Sequence, residues 1–321
     1  MAWLLVSALI LDALLGELQI LWRHLGHPVA WMAWLLLRGE DFLNKPDKNP
    51  GIRRFYGTLW FAFCLLFSVG IALLITHIAS NILTDPWDDI ITILIASIFL
   101  AYHSLLDHVG AVEKALLSGN LEGARKAVAR IVGRDTHRLN PDGISRAAIE
   151  SLAENFSDGV IAPAFWFLLG GLPGLVAYKL TNTADSIIGH RTERFQDFGW
   201  AAARFDDLLN FIPARITTLL LGLGGLFSGK GDIRRGLSVG SQYSPYHASP
   251  NAGWPEATMA GLLDIKLGGP RHYTDGKHKD NAWLGNGREA KVTDLDSAMT
   301  ISRYAWLATC ILLILGGLLW T

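Results

Sequence analysis

The residues able to do chemistry lie in four polar runs that interrupt a largely apolar chain. In Thr181-Asn182-Thr183-Ala184-Asp185-Ser186 a helix puts Asn182 and Asp185 on one face, because positions three apart are neighbours. Arg191 and Arg194 repeat that spacing in the continuation Gly189-His190-Arg191-Thr192-Glu193-Arg194. Oxygen donors suit Mg²⁺, and planar guanidinium groups suit phosphate. A membrane-interface helix with solvated charges would use the same residues. The second run is Arg204-Phe205-Asp206-Asp207-Leu208-Leu209-Asn210, closing on Pro213-Ala214-Arg215. It sets Asp206 and Asp207 within a helical turn of Asn210, at the mouth of an apolar stretch. Repulsion between the carboxylates is costly unless a cation or an arginine compensates. An Mg²⁺ site is one reading; a charged helix start that pairs with the macrodipole is the other.

The third run, Glu150-Ser151-Leu152-Ala153-Glu154-Asn155-Phe156-Ser157-Asp158-Gly159, spaces Glu150 and Glu154 one turn apart and follows with Asn155 and Asp158. Arg134-Asp135-Thr136 and Arg146 stand just upstream. A polar helix with i,i+4 partners and a glycine stop is the plain alternative. The fourth, Ser249-Pro250-Asn251-Ala252-Gly253-Trp254-Pro255-Glu256-Ala257, leads into an apolar-periodic run with Pro255 suited to the first helical position. Backbone N–H groups at such a start can hold an anion, and a simple loop-to-helix junction looks the same. Asp12 and Glu17 sit in an apolar stretch, where carboxylates must face protein or a polar cavity. His27, ahead of Pro28, reads as structural. Cys64 and Cys310, both in apolar stretches, form neither a metal cluster nor a disulfide framework. No P-loop, G-x-G-x-x-G, H-E-x-x-H or G-x-S-x-G motif occurs.

The elements that must position these runs are membrane helices. Half of the 321 residues are hydrophobic and only 18% are charged, with a mean hydropathy of +0.29, which is too apolar for an ordinary soluble protein of this size. Six stretches, 3–22, 57–83, 90–106, 159–178, 208–227 and 304–320, approach or exceed the length needed to cross a hydrocarbon core as a helix. The first lacks a basic leader and a cleavage site, and it reads as a retained membrane segment. The net charge of −1 gives no reason to expect nucleic-acid binding. Residues 23–56 and 107–158 are rich in Lys and Arg, whereas 84–89 carry only Asp85, Asp88 and Asp89. The basic loops belong on the cytoplasmic side, so 57–83 and 90–106 form a hairpin with an outward acidic tip. Pro163, Gly170, Gly171, Pro173 and Gly174 interrupt 159–178, and Pro213, Gly222, Gly224 and Gly225 interrupt 208–227. Both are expected to be re-entrant or strongly kinked, with two ordinary spans as the alternative. Residues 110–132 predict a helical pair broken at Ser118-Gly119-Asn120, and 228–302 a long polar region, flexible near 274–290. The expectation is an all-α polytopic membrane protein of about 4–6 membrane segments. It forms a single domain over 1–321, with 107–158 and 228–302 as its larger cytoplasmic loop regions.

Taken in order, these runs resemble the cobinamide-phosphate synthase family of cobalamin assembly, called CbiB or CobD in bacteria. The matching residues are Leu11-Asp12 through Gly16-Glu17, His27-Pro28-Val29, Arg134-Asp135-Thr136, 150–163, 182–215 nearly unbroken, 249–261, and Leu267-Gly268-Gly269-Pro270. Glu17, Phe156 and His190 depart from the residues common in the family, and the acidic and amide positions are kept. The resemblance implies an ATP- and Mg²⁺-dependent ligase of the cell inner membrane with cytoplasmic active loops. It would join adenosylcobyric acid, a corrinoid, to (R)-1-amino-2-propanol O-2-phosphate or ethanolamine phosphate. A carboxylate is a poor electrophile, so activation as an acyl phosphate is the expected route. On residue chemistry, Asp206, Asp207 and Asn210, with Asn182 and Asp185, would hold Mg²⁺ against ATP. Arg191, Arg194 and Arg215 would neutralise phosphate. Glu154 or Asp158 would take the proton of the attacking ammonium, with Asp207 counted among the catalytic groups. Ser249, Asn251 and Glu256 would line the corrinoid or phosphate pocket. Other late cobalamin-assembly membrane enzymes are candidate partners. Three other readings compete: a membrane prenyltransferase binding Mg-diphosphate through Asp206-Asp207-x-x-Asn210, a non-catalytic membrane sensor related to the family, and a transporter with broken helices.

Overall fold

The computed structural model describes residues 1–16, 22, 24–190, 192–272, 278–279 and 281–319. In chain order the described helices are α1 (Ala2–Leu15), α2 (Pro28–Leu43), α3 (Pro50–Ile82), α4 (Trp87–Ile98), α5 (Tyr102–Leu117), α6 (Leu121–Val128), α7 (Pro141–Phe156), α8 (Ala162–Ile188), α9 (Trp200–Leu209), α10 (Phe211–Ser228), α11 (Ile233–Tyr243), α12 (Gly253–Leu263) and α13 (Thr293–Leu319). Among the described residues, five helical stretches are long and apolar enough to cross a bilayer: Pro50–Ile82, Trp87–Leu117, Pro141–Ile188, Phe211–Ser228 and Thr293–Leu319. The chain is an all-α polytopic membrane protein. Of the expected stretch 3–22, Ala2–Leu15 form the shorter apolar α1, and residues 17–21, Glu17 among them, lie outside the described residues.

The helix starts follow from sequence. His27, Asn49 and Asn140 each precede a proline that opens a helix, and their side chains accept from Val29 N (3.2 Å), Gly51 N (2.8 Å) and Gly143 N (2.8 Å). Each satisfies an N–H that the helix cannot, while the proline gives up an N–H that would have been orphaned anyway. Asn120 caps α6 in the same way, accepting from Gly123 N at 2.8 Å. The predicted break at 118–120 is thus a real turn between α5 and α6.

The described chain divides into two compact units, Met1–Leu100 with Ala162–Asn210, and Ala101–Ile161 with Phe211–Thr321. In the first, α8 contains the predicted interruption: Gly171, at φ 58°, ψ −150°, bends the helix two residues before Pro173. Two helical pieces meet at that bend, and a Cβ on Gly174 would overlap the Trp166 carbonyl, so the segment is strongly kinked, as its composition leads one to expect, before it runs on to Ile188. In the second, 208–227 departs from expectation. Residues 211–228 form an unbroken helix with Pro213 in its first turn, where proline is tolerated. Its glycines serve packing instead: a Cβ on Gly224 would overlap the Ile301 carbonyl of α13, so α10 and α13 touch backbone to backbone.

The polar region 228–302, also in the second unit, is more ordered than its composition suggests. It holds α11, α12 and two short antiparallel ribbons, β1 (Leu267–Gly268) with β4 (Trp283–Leu284) and β2 (Arg271–His272) with β3 (His278–Lys279). Of the expected flexible stretch 274–290, residues 274–277 and 280 lie outside the described residues, while 283–284 are the strand β4.

Candidate functional site

The first unit gathers all five residues expected to bind metal. Asn182 and Asp185 ride on the last turns of α8; Asp206 and Asp207 lie on α9, and Asn210 follows it. Asp206 is buried, and its carboxylate accepts from Asn210 Nδ2 at 3.0 Å and from Asn182 Nδ2 at 3.5 Å. The Tyr178 hydroxyl, fully buried in α8, donates to Asn210 Oδ1 at 3.0 Å. Trp166 Nε1 donates to the Leu209 carbonyl at 3.1 Å, which ties the end of α9 to α8. Burial first, then the charge of Asp185, pushes the Asp206 carboxyl up to about 7, with Asp207 adding to the push and the two asparagine amides opposing it. Asp207 is partly exposed and meets Arg204 Nη1 at 3.1 Å.

Three carboxylates within electrostatic reach, one of them buried, make a place where a cation gains binding energy. Among the described residues no three His, Cys, Asp or Glu side chains are arranged to hold a metal by themselves. That donor set fits Mg²⁺, which usually takes one or two protein carboxylates and completes its shell with water and phosphate oxygens. Tyr178 was not singled out from sequence. Its signal was present: Tyr178, Asn182 and Asp185 follow the i, i+4, i+7 stripe of one helix face.

The two arginines of the 189–194 run part company. Arg191 lies outside the described residues. Arg194, expected on phosphate, is engaged with protein: its guanidinium donates to both oxygens of the buried Glu40, the Nε–Oε1 bond being 2.9 Å. Asn44 Nδ2 donates to Glu40 Oε1 and to the Arg194 carbonyl, both at 2.7 Å, and Arg53 Nε donates to Asn44 Oδ1 at 2.7 Å. Burial works to raise the Glu40 carboxyl, but the hydrogen bonds from Arg194 and Asn44 and the charges of Arg194 and Arg53 outweigh it and lower it. Arg194 therefore bolts the loop after α8 to the end of α2.

This arrangement makes a prediction. Arg194→Ala should destabilise the protein by about 1–3 kcal/mol, because it strands a buried carboxylate. A lowered carboxyl gives stability that is fully present above its unfolded value and lost as pH falls from there through its lowered folded value, whereas the stranded Glu40 of the variant takes up a proton at higher pH. The loss in thermal midpoint should therefore be larger at pH 7 than at pH 4, and Glu40→Gln in the same chain should restore part of it. Equal losses at both pH values would remove the charge argument.

In the second unit Arg215, in the first turns of α10, is held rigidly. Its Nη1 donates to Asn251 Oδ1 at 2.7 Å and to the Phe211 carbonyl at 2.8 Å, and Nη2 reaches the Pro250 carbonyl at 3.3 Å. The guanidinium lies 3.9 Å from the Phe211 ring centroid and 4.9 Å from that of Trp254. Among the described residues no carboxylate stands within ion-pair distance of it. Ser249 Oγ accepts from the Asn251 and Ala252 amides, each at 3.2 Å, and so shapes the turn into α12. Pro255 falls third in that helix, not first as the sequence suggested. Glu256, fully buried in the first turn, has Oε1 3.6 Å from His247 Nε2.

Glu154 lies in the last turns of α7, and Asp158 in the π-helical turn Ser157–Ile161 that follows; both are half-buried. Such turns widen a helix and recur at functional sites. One turn earlier, the buried Glu150 accepts from Arg134 Nη2 at 2.8 Å and from the Gly268 amide at 2.7 Å. Arg146 Nε stands 3.9 Å from it, and the Arg146 guanidinium covers the Trp283 ring at 4.9 Å. Glu150, Arg134 and the 267–270 turn, read from sequence as separate runs, are one hydrogen-bonded assembly.

A family model described as CobD/Cbib protein matches residues 5–302. Among similar curated proteins, "Cobalamin biosynthesis protein CobD" of Brucella suis biovar 1 (strain 1330) is 44% identical over 92% of this chain and 90% of its own length. The protein of that name from Rhodobacter capsulatus is 42% identical over 100% of this chain and 98% of its own. The one from Rhizobium meliloti (strain 1021) is 39% identical over 93% and 91%. No solved structure matches.

Proposed function

The chain belongs to the CobD/CbiB family of cobalamin biosynthesis proteins, and on that footing we propose that it is an amide-forming ligase of the cell inner membrane. It joins the carboxylate of adenosylcobyric acid to the amine of (R)-1-amino-2-propanol O-2-phosphate, or of ethanolamine phosphate, and ATP activates the carboxylate. The observation that carries this reading is the buried Asp206 within electrostatic reach of Asp185 and Asp207, an anionic cluster whose mutual repulsion a bound cation relieves. Magnesium bound there would screen the nucleotide's phosphates. Asp206 and Asp207 supply the negative oxygens, Asn182 and Asn210 orient Asp206, and Tyr178 orients Asn210.

Arg215 is the group in the second unit best prepared for a phosphate. Its position is fixed by neutral acceptors and aromatic rings, so its charge is available. Amide formation also requires the attacking ammonium to lose a proton, and Glu154 or Asp158 is the acceptor. The neutral amine then attacks the acyl carbon, and the N–C bond forms as the C–O bond to the activating phosphate breaks. The departing phosphate takes the second nitrogen proton, and the first stays on the Glu154 or Asp158 carboxylate. The basic loops 23–56 and 107–158 face the cytoplasm, where ATP is found.

The test uses the purified full-length chain with adenosylcobyric acid, the amino-alcohol phosphate, ATP and MgCl₂, and follows the corrinoid by mass spectrometry. An amide product that requires all four additions supports the reading. No product, with ATP untouched, removes it. Diphosphate release from a prenyl donor would install the prenyltransferase reading instead.

A further inference from the structure

Independently of the ligase reading, the first unit contains an apolar groove of about 460 Å³ between α2, α3, α4 and the kinked part of α8. Its walls include Trp31, Leu35, Phe67, Ala72 and Val176, with Ser68 the one polar side chain in the lining. The volume lies within the roughly 300–1,000 Å³ of ligand sites. A space so apolar offers water too few hydrogen-bond partners to hold it well. It also sits beside the middle of α3, whose length and composition place that stretch in hydrocarbon.

What distinguishes the groove from a packing gap is its end. On α2, Trp31, Leu35 and Arg38 form one i, i+4, i+7 stripe, so Arg38 stands one turn beyond the lining. Its guanidinium rests over the Trp34 ring at 5.3 Å, and no carboxylate lies within ion-pair distance among the described residues. An apolar slot capped by a tryptophan-backed cation matches an acyl chain joined to a phosphate.

We propose that this groove seats an acyl chain of one membrane phospholipid, with Arg38 meeting its phosphate. The occupant follows from charge and place: a hydrocarbon tail for the slot, an anion for the arginine, and the bilayer as the source of both.

The experiment titrates the detergent-purified full chain with phosphatidylglycerol and, separately, with diacylglycerol of the same chains, reading bound lipid by native mass spectrometry. Ala72→Phe, which fills the groove, should abolish the tight lipid adduct. Arg38→Ala should weaken phosphatidylglycerol by about fivefold, the worth of one basic side chain at a lipid surface. It should leave diacylglycerol unchanged, and Arg38→Lys should recover most of the loss. If Ala72→Phe does not fold, Ser68→Leu, a smaller intrusion at the same wall, takes its place. Undiminished binding in the filled variant that folds overturns the proposal, as does an Arg38→Ala chain that binds both lipids like the wild type.

Discussion

Replacing Asp206 by Asn is expected to stabilise the protein and to cripple it in the same step. The carboxyl is raised from an ordinary value of 3.8 to about 7 by burial and by Asp185 and Asp207. A raised carboxyl favours the fold while it is protonated, and that advantage disappears as pH climbs from its unfolded value through its folded one. At pH 8 the native protein therefore carries a charge that opposes folding by an amount on the order of a few kcal/mol. Asp206→Asn removes the charge and keeps an acceptor for Asn210. Its thermal midpoint should exceed that of the wild type at pH 8, and the gain should shrink toward pH 4. Millimolar MgCl₂ should raise the wild-type midpoint at pH 8 and leave the variant unmoved, because the cation rewards only the ionised site. Amide formation should fall by about a hundredfold or more, as expected when a group that stabilises transition-state charge is lost. Asp207→Asn should lose comparable activity with little change in stability, since Asp207 is partly exposed and already paired with Arg204. If Asp206→Asn kept full activity, the cluster would have no part in catalysis. A wild-type stability that increased from pH 5 to pH 8 would contradict the burial argument itself.

The contrast between these two acids also shows how far sequence reaches. The spacing of Asp206, Asp207 and Asn210 placed them together on one helix end, and the structure does so. Local chemistry was legible where the partner was a few residues away: the break at Ser118-Gly119-Asn120 and the bend at Gly171. It failed where the partner was distant in the chain. Nothing near Arg194 announces Glu40, 154 residues earlier, so the arginine looked like a free phosphate ligand. The glycines of α10 misled for another reason. Composition does not distinguish a glycine that breaks a helix from one that lets α13 approach, as Gly224 does. The π turn at 157–161 was equally hidden, because its widened hydrogen bonding has no fixed residue pattern.

A second link of this hidden kind supports the second large effect. Glu150 joins Arg134, 16 residues upstream, to the Gly268 amide, 118 residues downstream, and both it and the arginine are almost wholly shielded from solvent. Glu150→Ala should cost about 3–5 kcal/mol, the range for breaking a buried ion pair from one side, because a shielded guanidinium and a buried amide lose their acceptor together. Glu150→Gln keeps an oxygen for Gly268 and gives up only the charge opposite Arg134, so its loss should be nearer 1–3 kcal/mol. The pair Arg134→Leu with Glu150→Leu removes both charges of that pair, leaves Arg146 its second acidic neighbour Glu289, and strips the Gly268 amide of its acceptor, so it should be more stable than Glu150→Ala alone. Hydrogen exchange supplies the local readout. The Gly268 amide should exchange faster in Glu150→Ala, and in the double variant, than in Glu150→Gln. Were Glu150→Ala to melt with the wild type and keep Gly268 protected, the turn at 267–270 would owe its place to the β1–β4 ribbon alone, and Glu150 would have to be sought among the catalytic groups beside Glu154 and Asp158.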